Sequence, residues 1–191
     1  MSVPGAEPVL AELWSPVAAL TAADGNRAGG LITSTAVTAS LLPESPRIVV
    51  ILGRGNRTHE LVLSAGAFAL HLLPAEPVER SLAIFKALGF RSGRDDDKLA
   101  HVPWHAGATG APVIDEALAY AEARVASTLD AREVTVVVGE VVAGARLRGG
   151  RHLTIDDVRR HLTSTDWDAW EARRVEELTA ARNLRGMRSS E

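Results

Sequence analysis

Turn residues cut the chain into short apolar runs. Trp14 to Ala22 (WSPVAALTA) is apolar and tolerates extended backbone, Asp24-Gly25-Asn26 is a turn sequence, and Gly30 to Thr38 returns with β-branched and hydroxyl residues. That order predicts a β-hairpin over 14–38. Pro43 and Pro46 mark a loop. Arg47 to Leu52 (RIVVIL), closed by Gly53, has the continuous apolar character of a buried strand. A short helix is expected from Thr58 to Leu63, with Asn56 or Thr58 as N-cap and Ser64-Ala65-Gly66 at its end. Phe68 to Leu73 reads as a strand closed by Pro74. Val78, Leu82 and Phe85 stand at helical spacing and predict a helix over 76–88.

Gly89 to Lys98 is a charged loop, and its Asp95-Asp96-Asp97 run is better read as solvated than as a metal site. Val102 to Val113, broken by Pro103, Gly107, Gly110 and Pro112, is irregular or short-stranded. Ala117 to Leu129 is alanine-rich, which favours helix, yet it alternates small with large or polar residues. The alternation decides for strand. Val134 to Val142 (VTVVVGEVV) is the clearest strand, with Gly139 as a bulge or close-approach point. Gly144 to Arg151 is a basic loop. Thr154, with Asp157 three residues on, starts a helix over 155–162, and a longer helix follows over 166–184. On that helix Trp167, Trp170, Arg174, Leu178 and Ala181 share a face, which predicts packing on the chain's own barrel or on a second subunit. Residues 1–13 form a loose arm or short helix.

Two architectures compete for the centre. Gly53-Arg54-Gly55 after a strand, with Glu76 about 20 residues on, has the outline of a dinucleotide turn. However, the third glycine position is Thr58, and strands do not alternate with helices along the chain. An opening hairpin and two long adjacent strands near the end favour an antiparallel barrel. The fold class expected is therefore mainly β with peripheral helices.

Composition narrows the chemistry. The 191 residues suit one domain with a real core, and 46% are hydrophobic. A net charge of −3 gives no reason to expect nucleic acid or an anionic membrane as partner. The absence of cysteine removes disulfides, thiolate nucleophiles and cysteine metal sites. His101 and His105 are four apart, but Pro103 between them spoils a helical ligand pair. There is no P-loop and no nucleophile elbow. No basic segment precedes the short apolar stretch at the N-terminus, and no apolar run reaches the roughly 18 residues of a membrane span. A soluble cytoplasmic protein is the expectation.

The candidate chemistry lies in Gly29 to Thr58. Thr33, Ser34, Thr35, Thr38 and Ser40 put hydroxyls on one strand and its exit, and Asn56, Arg57 and Thr58 combine a guanidinium with a helix start. Hydroxyls, backbone N–H groups and arginine are what a phosphate group requires.

In order and spacing, residues 14–143 resemble the flavin reductase-like proteins, which have an FMN-binding split β-barrel. The resemblance rests on Gly29-Gly30-Leu31-Ile32-Thr33-Ser34-Thr35, the strand Pro46 to Leu52, the turn Arg54 to Thr58 and the strand Ala65 to Leu73. It continues through Gly110-Ala111-Pro112-Val113-Ile114, Leu118 to Val125, and Gly139-Glu140-Val141. It implies a split antiparallel β-barrel over 1–150 and a C-terminal helical extension over 151–191, packed on the barrel or on a dimer partner. It also implies FMN or FAD as cofactor, NADH or NADPH as co-substrate and hydride transfer to flavin N5. A homodimer with flavin near the interface and a monooxygenase served by the reduced flavin complete the expectation. The eight residues Thr33, Ser34, Thr35, Thr38, Ser40, Asn56, Arg57 and Thr58 would bind the cofactor, with the backbone from Thr38 to Ser40 along the ring edge. No side chain is assigned a catalytic role. The chain departs from the family pattern at Val134, where a histidine often stands near the nicotinamide, at Ala123 in place of a cysteine, and at His71 in place of an asparagine. Val134 leaves open a second reading, a flavin carrier or sensor without reductase activity.

Overall fold

Asp24 to Arg27 turns the chain between β1 (Ala18–Asp24) and β2 (Arg27–Thr33), which pair antiparallel with Ala18 opposite Thr33. The computed structural model describes residues 16–91 and 97–187. The expected arm over 1–13, Trp14 at the start of the expected hairpin, and Asp95 and Asp96 lie outside them.

The hairpin is shorter than the sequence predicts. The Thr33 hydroxyl accepts the Thr35 N–H at 3.1 Å and stands 2.9 Å from the Thr35 hydroxyl, a side-chain turn that redirects the backbone. Residues 36–38 therefore leave the hairpin. They form β3 (Ala36–Thr38), which pairs with β4 (Arg47–Gly53). With β5 (Ala67–Leu72), β8 (Ala119–Ala131) and β9 (Val134–Arg146) the sheet has seven strands in the order β2-β1-β5-β8-β9-β4-β3. Every pairing in it is antiparallel. β2 and β3 are its two edges, yet only Ser34 and Thr35 separate them in sequence. Three residue steps span at most about 11 Å, so the sheet must curl until its edges nearly meet. The result is a half-barrel that is split rather than sealed.

Inside the curl, Leu20, Leu31, Ile48, Val50, Leu52, Phe68 and Val137 pack with Leu61 and Val62 of α1 (Arg57–Ala65). Each such side chain contributes about 1.5–3 kcal/mol by leaving water. RIVVIL does not behave as a strand buried on both faces. Ile48, Val50 and Leu52 point inward, whereas Ile51 is 39% exposed, because the antiparallel sheet covers only one face here. A second core lies outside the barrel. There Phe85 and Leu88 of α2 (Val78–Gly89) meet Leu73, Ile114, Leu153 and Val158. The segment expected to be irregular holds the small hairpin β6 (Trp104–Ala106) and β7 (Pro112–Ile114).

Two glycines let the helices reach β2. A Cβ on Gly29 would stand 3.0 Å from Leu61 of α1, and one on Gly30 would stand 3.0 Å from Leu88 of α2. Adjacent residues of a strand face opposite sides, so the pair serves one helix on each face. Gly139 of β9 likewise yields to Phe68, whose ring lies 2.7 Å from where its Cβ would be.

The chain ends in α3 (Ile155–His161), opened by the expected Thr154–Asp157 capping box, and α4 (Ser164–Met187). The inward face of α4 is rotated from the predicted one. Trp170 stacks on Phe85 with ring centroids 5.1 Å apart, and Arg173, Glu177, Ala180 and Ala181 follow it toward the barrel. Trp167 and Arg174 instead border a hollow against α3, with Val158 and Leu162, and Leu178 is exposed. Among the described residues no helix is long and apolar enough to cross a membrane.

Candidate functional site

Three backbone features converge at one end of β4. The β2–β3 step brings Thr33, Ser34 and Thr35 there. The Thr35 hydroxyl donates to the Ile51 carbonyl at 3.0 Å, which ties the step to β4. The turn after β4 brings Gly53, Gly55 and Asn56. Asn56 caps α1, its side-chain oxygen accepting the Thr58 N–H at 3.0 Å, so the helix start faces the same place. Between these features and α4 lies a cleft of ≈ 200 Å³ lined by Thr33, Ile51, Gly53, Gly55 and Asn56 on the barrel side. Leu31, Ile32 and Leu52 add apolar surface, and Glu133, Arg173, Glu176, Glu177, Ala180 and Ala181 complete it.

The eight sequence-predicted residues divide accordingly. Thr33 and Asn56 line the cleft. Ser34 and Thr35 are exposed on the adjoining step, and Arg57 is half-buried at the helix start. Thr58 is buried beneath that start, its hydroxyl against Gly29. Thr38 lines a second, apolar hollow of ≈ 230 Å³ with Ala36, Val37, Ile48, Leu70 and Tyr120. The Ser40 hydroxyl is occupied locally, accepting the Leu42 N–H at 3.1 Å. The Thr33–Thr35 turn explains the split between Thr33 and Thr38, because it carries the chain from β2 to β3, the opposite edge of the sheet.

The flavin reductase like domain matches residues 10–163. The chain belongs to that family. It is 38% identical over 117 residues to a flavin reductase (NADH) of Kitasatospora aureofaciens, covering 60% of this chain but only 56% of that relative. It is 31% identical over 139 residues to a ferric-chelate reductase (NAD(P)H) of Archaeoglobus fulgidus, covering 72% of this chain and 79% of the other. Among solved structures, an FMN-binding protein from Thermus thermophilus superposes with a TM-score of 0.67 at 24% identity, over 80% of this chain and 83% of that one. That likeness establishes the fold.

Of the donors a flavin phosphate would need, the cleft itself offers the Thr33 hydroxyl and the Asn56-capped helix start, with Ser34, Thr35 and Arg57 beside it. Its opposite wall is acidic, Glu176 and Glu177 pairing with Arg173. Arg54 is engaged elsewhere. Its guanidinium donates to Asp130 Oδ2 at 2.7 Å and to the Arg132 carbonyl at 3.2 Å, pinning the turn to the β8–β9 hairpin. His59 of α1 meets Thr135 of β9 at 2.9 Å. Burial, followed by the nearby Arg54 charge, lowers its pKa below the usual histidine value.

The departure at His71 has a structural reason. Its Nδ1 donates to the Ala19 carbonyl and its Nε2 accepts the Ile114 N–H, both at 3.2 Å, so one fully buried ring joins β1, β5 and β7. Burial pushes its pKa down to about 4. The residues that sequence reasoning missed are mainly on α4. Their spacing is helical, but Arg173, Glu176 and Glu177 are charged, so no hydrophobic stripe marks that face.

Proposed function

We propose that the chain is an NAD(P)H-dependent flavin reductase that binds FMN or FAD, possesses no metal centre, and acts as a homodimer. The observation that carries this reading is the meeting of the Thr33–Thr35 step with the Asn56-capped helix start at one cleft, in a member of the flavin reductase like family. Thr33, Ser34 and Thr35 offer hydroxyl and backbone donors to a phosphate. Arg57 offers charge, and α1 offers the positive end of its dipole. Thr58 holds the helix start against Gly29. Thr38 to Ser40 border the ring edge, with the apolar hollow beside Thr38 suited to an aromatic ring. When bound, the flavin supplies the hydride acceptor for a reduced nicotinamide. The chain's task is to orient the two rings and to exclude competing acceptors.

A second copy of the chain would cover the apolar surface beside that hollow, where Val37 is 55%, Leu42 56% and Leu41 100% exposed. Residues 1–150 then form the flavin-binding unit. Residues 151–191 are an extension whose α3 and α4 close over it. The reduced flavin product suits a monooxygenase partner, and the enzyme would work in the cytoplasm.

The carrier or sensor reading is favoured by one observation, Val134 at the place of the expected histidine. Steady-state NADH consumption with free flavin separates the two. Consumption that rises with enzyme supports the reductase. Tight flavin binding without consumption supports the carrier.

A further inference from the structure

The family match ends at residue 163, and α4 follows it, yet this helix forms one wall of the cleft. Its first turns are anchored. Thr163 and Asp166 cap each other, the Lys86 ammonium donates to Asp166 Oδ2 at 2.8 Å, and Trp170 lies against Phe85 and Phe90. The half that follows is seated without being buried. Asp166, Trp170, Arg173, Ala180, Ala181 and Leu184 are half-buried, and no residue of α4 whose side chain is described is fully buried. An element with so little buried surface separates from the body of a fold at low cost. The ion pairs of Arg173 with Glu176 and Glu177, and of Arg174 with Glu171, lie within the helix and survive that separation.

What the docked half brings to the cleft is at odds with a flavin phosphate. A phosphate monoester carries close to two negative charges. Glu176 and Glu177 accept from the terminal nitrogens of Arg173 at 2.9 and 3.3 Å, so that guanidinium is already engaged. Glu133 adds a third carboxylate to the lining, and the excess charge is negative. Space is short as well. The cleft holds ≈ 200 Å³, whereas sites for whole ligands run from about 300 to 1,000 Å³. Ala180 approaches so closely that a Cβ on Gly55 would stand 3.4 Å from its own, and Gly55 belongs to the turn that presents Asn56 and the start of α1. Docking also leaves the buried Arg173 Nε without a partner, a cost that undocking removes.

We propose that the distal half of α4, from Arg173 onward, is an autoinhibitory strap: docked in the cleft it excludes the flavin phosphate, and it withdraws when the flavin binds. This rests on the flavin reading above, which sets the phosphate against the Thr33–Thr35 step and the Asn56-capped helix start. Withdrawal takes Arg173, Glu176, Glu177, Ala180 and Ala181 out of the cleft, and a net negative charge leaves with them. The hydroxyl and helix-start donors stay in place on the barrel side. Strap docking and flavin binding are then reciprocal, each weakening the other by the same factor. Whatever holds the strap down lowers flavin affinity, and whatever loosens it raises flavin affinity.

The chain contains no cysteine, so Gly55→Cys combined with Ala180→Cys introduces the only two thiols, at the place where the docked strap brings them together. Disulfide-bonded Cβ atoms stand about 3.5–4.5 Å apart, close to the separation found here. In a glutathione buffer the double variant should cross-link, and saturating FMN should lower the cross-linked fraction. Binding to the full chain is then read by flavin fluorescence. The oxidised double variant should bind FMN at least about tenfold more weakly than the same protein reduced, with a smaller change for riboflavin, which has no phosphate. Trp170→Ala, which loosens the anchored turns, should bind FMN about threefold more tightly than the wild type, a gain that mere damage to the fold does not give. Equal FMN affinity in the two redox states would overturn the proposal, and so would riboflavin weakened as much as FMN. A double variant that does not cross-link, a cross-linked fraction that FMN leaves unchanged, or a Trp170→Ala variant without the gain would also overturn it. If the wild type, the reduced double variant and Trp170→Ala all bind no flavin, the functional reading falls together with this one. Any other contrary result overturns this one alone.

Discussion

The hydroxyls of Thr33 and Thr35 stand 2.9 Å apart at the step where the chain passes from one edge of the sheet to the other. Thr35 also donates to Ile51, so one side chain fixes both the closure of the half-barrel and the cleft wall. Thr35→Val keeps the shape and removes these bonds. It should cost about 1 kcal/mol in urea denaturation and weaken FMN more than riboflavin. Unchanged stability would show that the step is held by other contacts.

Asn56 and Arg57 carry separable effects. Asn56→Ala removes the α1 cap and should lower stability by about 1 kcal/mol, read as a lower thermal midpoint. Arg57→Ala should raise the FMN dissociation constant severalfold without changing that of riboflavin. Equal loss for both ligands would move the phosphate away from this turn.

His71 predicts a pH dependence of stability. Its folded pKa, about 4, lies below the unfolded value near 6.5. The neutral ring therefore stabilises the fold fully above pH 6.5, and this contribution is lost as pH falls toward 4. At about 1.4 kcal/mol per pKa unit the loss approaches ~3 kcal/mol. His71→Asn should flatten this dependence, while retaining a side chain able to bond Ala19 or Ile114. Denaturant midpoints at pH 7, 6 and 5 measure it.

Much of the fold was legible because it rests on strand patterning and turn chemistry. Alternation along Ala117 to Leu129 outweighed its alanines, since that segment pairs on both sides in the sheet. Asp24-Gly25 and the Thr154–Asp157 box acted locally, as such signals do. What was not legible depends on contacts between distant segments. Nothing near Thr38 in sequence reports that its partner is Ile48 rather than β1. The phosphate-type residues were found as a cluster, but burial of Thr58 and the local engagement of Ser40 follow from tertiary placement. Of the face expected on α4, Trp170 and Ala181 turn inward, whereas Leu178 is exposed and the less hydrophobic Arg173 lines the cleft. A charged cleft reverses the usual rule for a packed helix face.

Asp157 tests how the C-terminal segment is fastened. Its carboxylate, 3% exposed, accepts from Arg151, Arg160 and both the N–H and hydroxyl of Thr154. The Arg151 hydrogen bonds come first in holding its pKa well below the usual carboxylate range. Asp157→Asn should destabilise the protein by about 2 kcal/mol, whereas Asp156→Asn, at an exposed neighbour, should have little effect. Comparable losses at both positions would argue against a specific anchor.

The most direct measurement is anaerobic: FMN is added to the purified protein, then NADH, then NADPH, while the oxidised flavin absorption is followed. The account predicts rapid bleaching with one donor, much faster than free FMN with the same donor, despite Val134. Flavin that binds yet bleaches no faster than free FMN would contradict the reductase assignment.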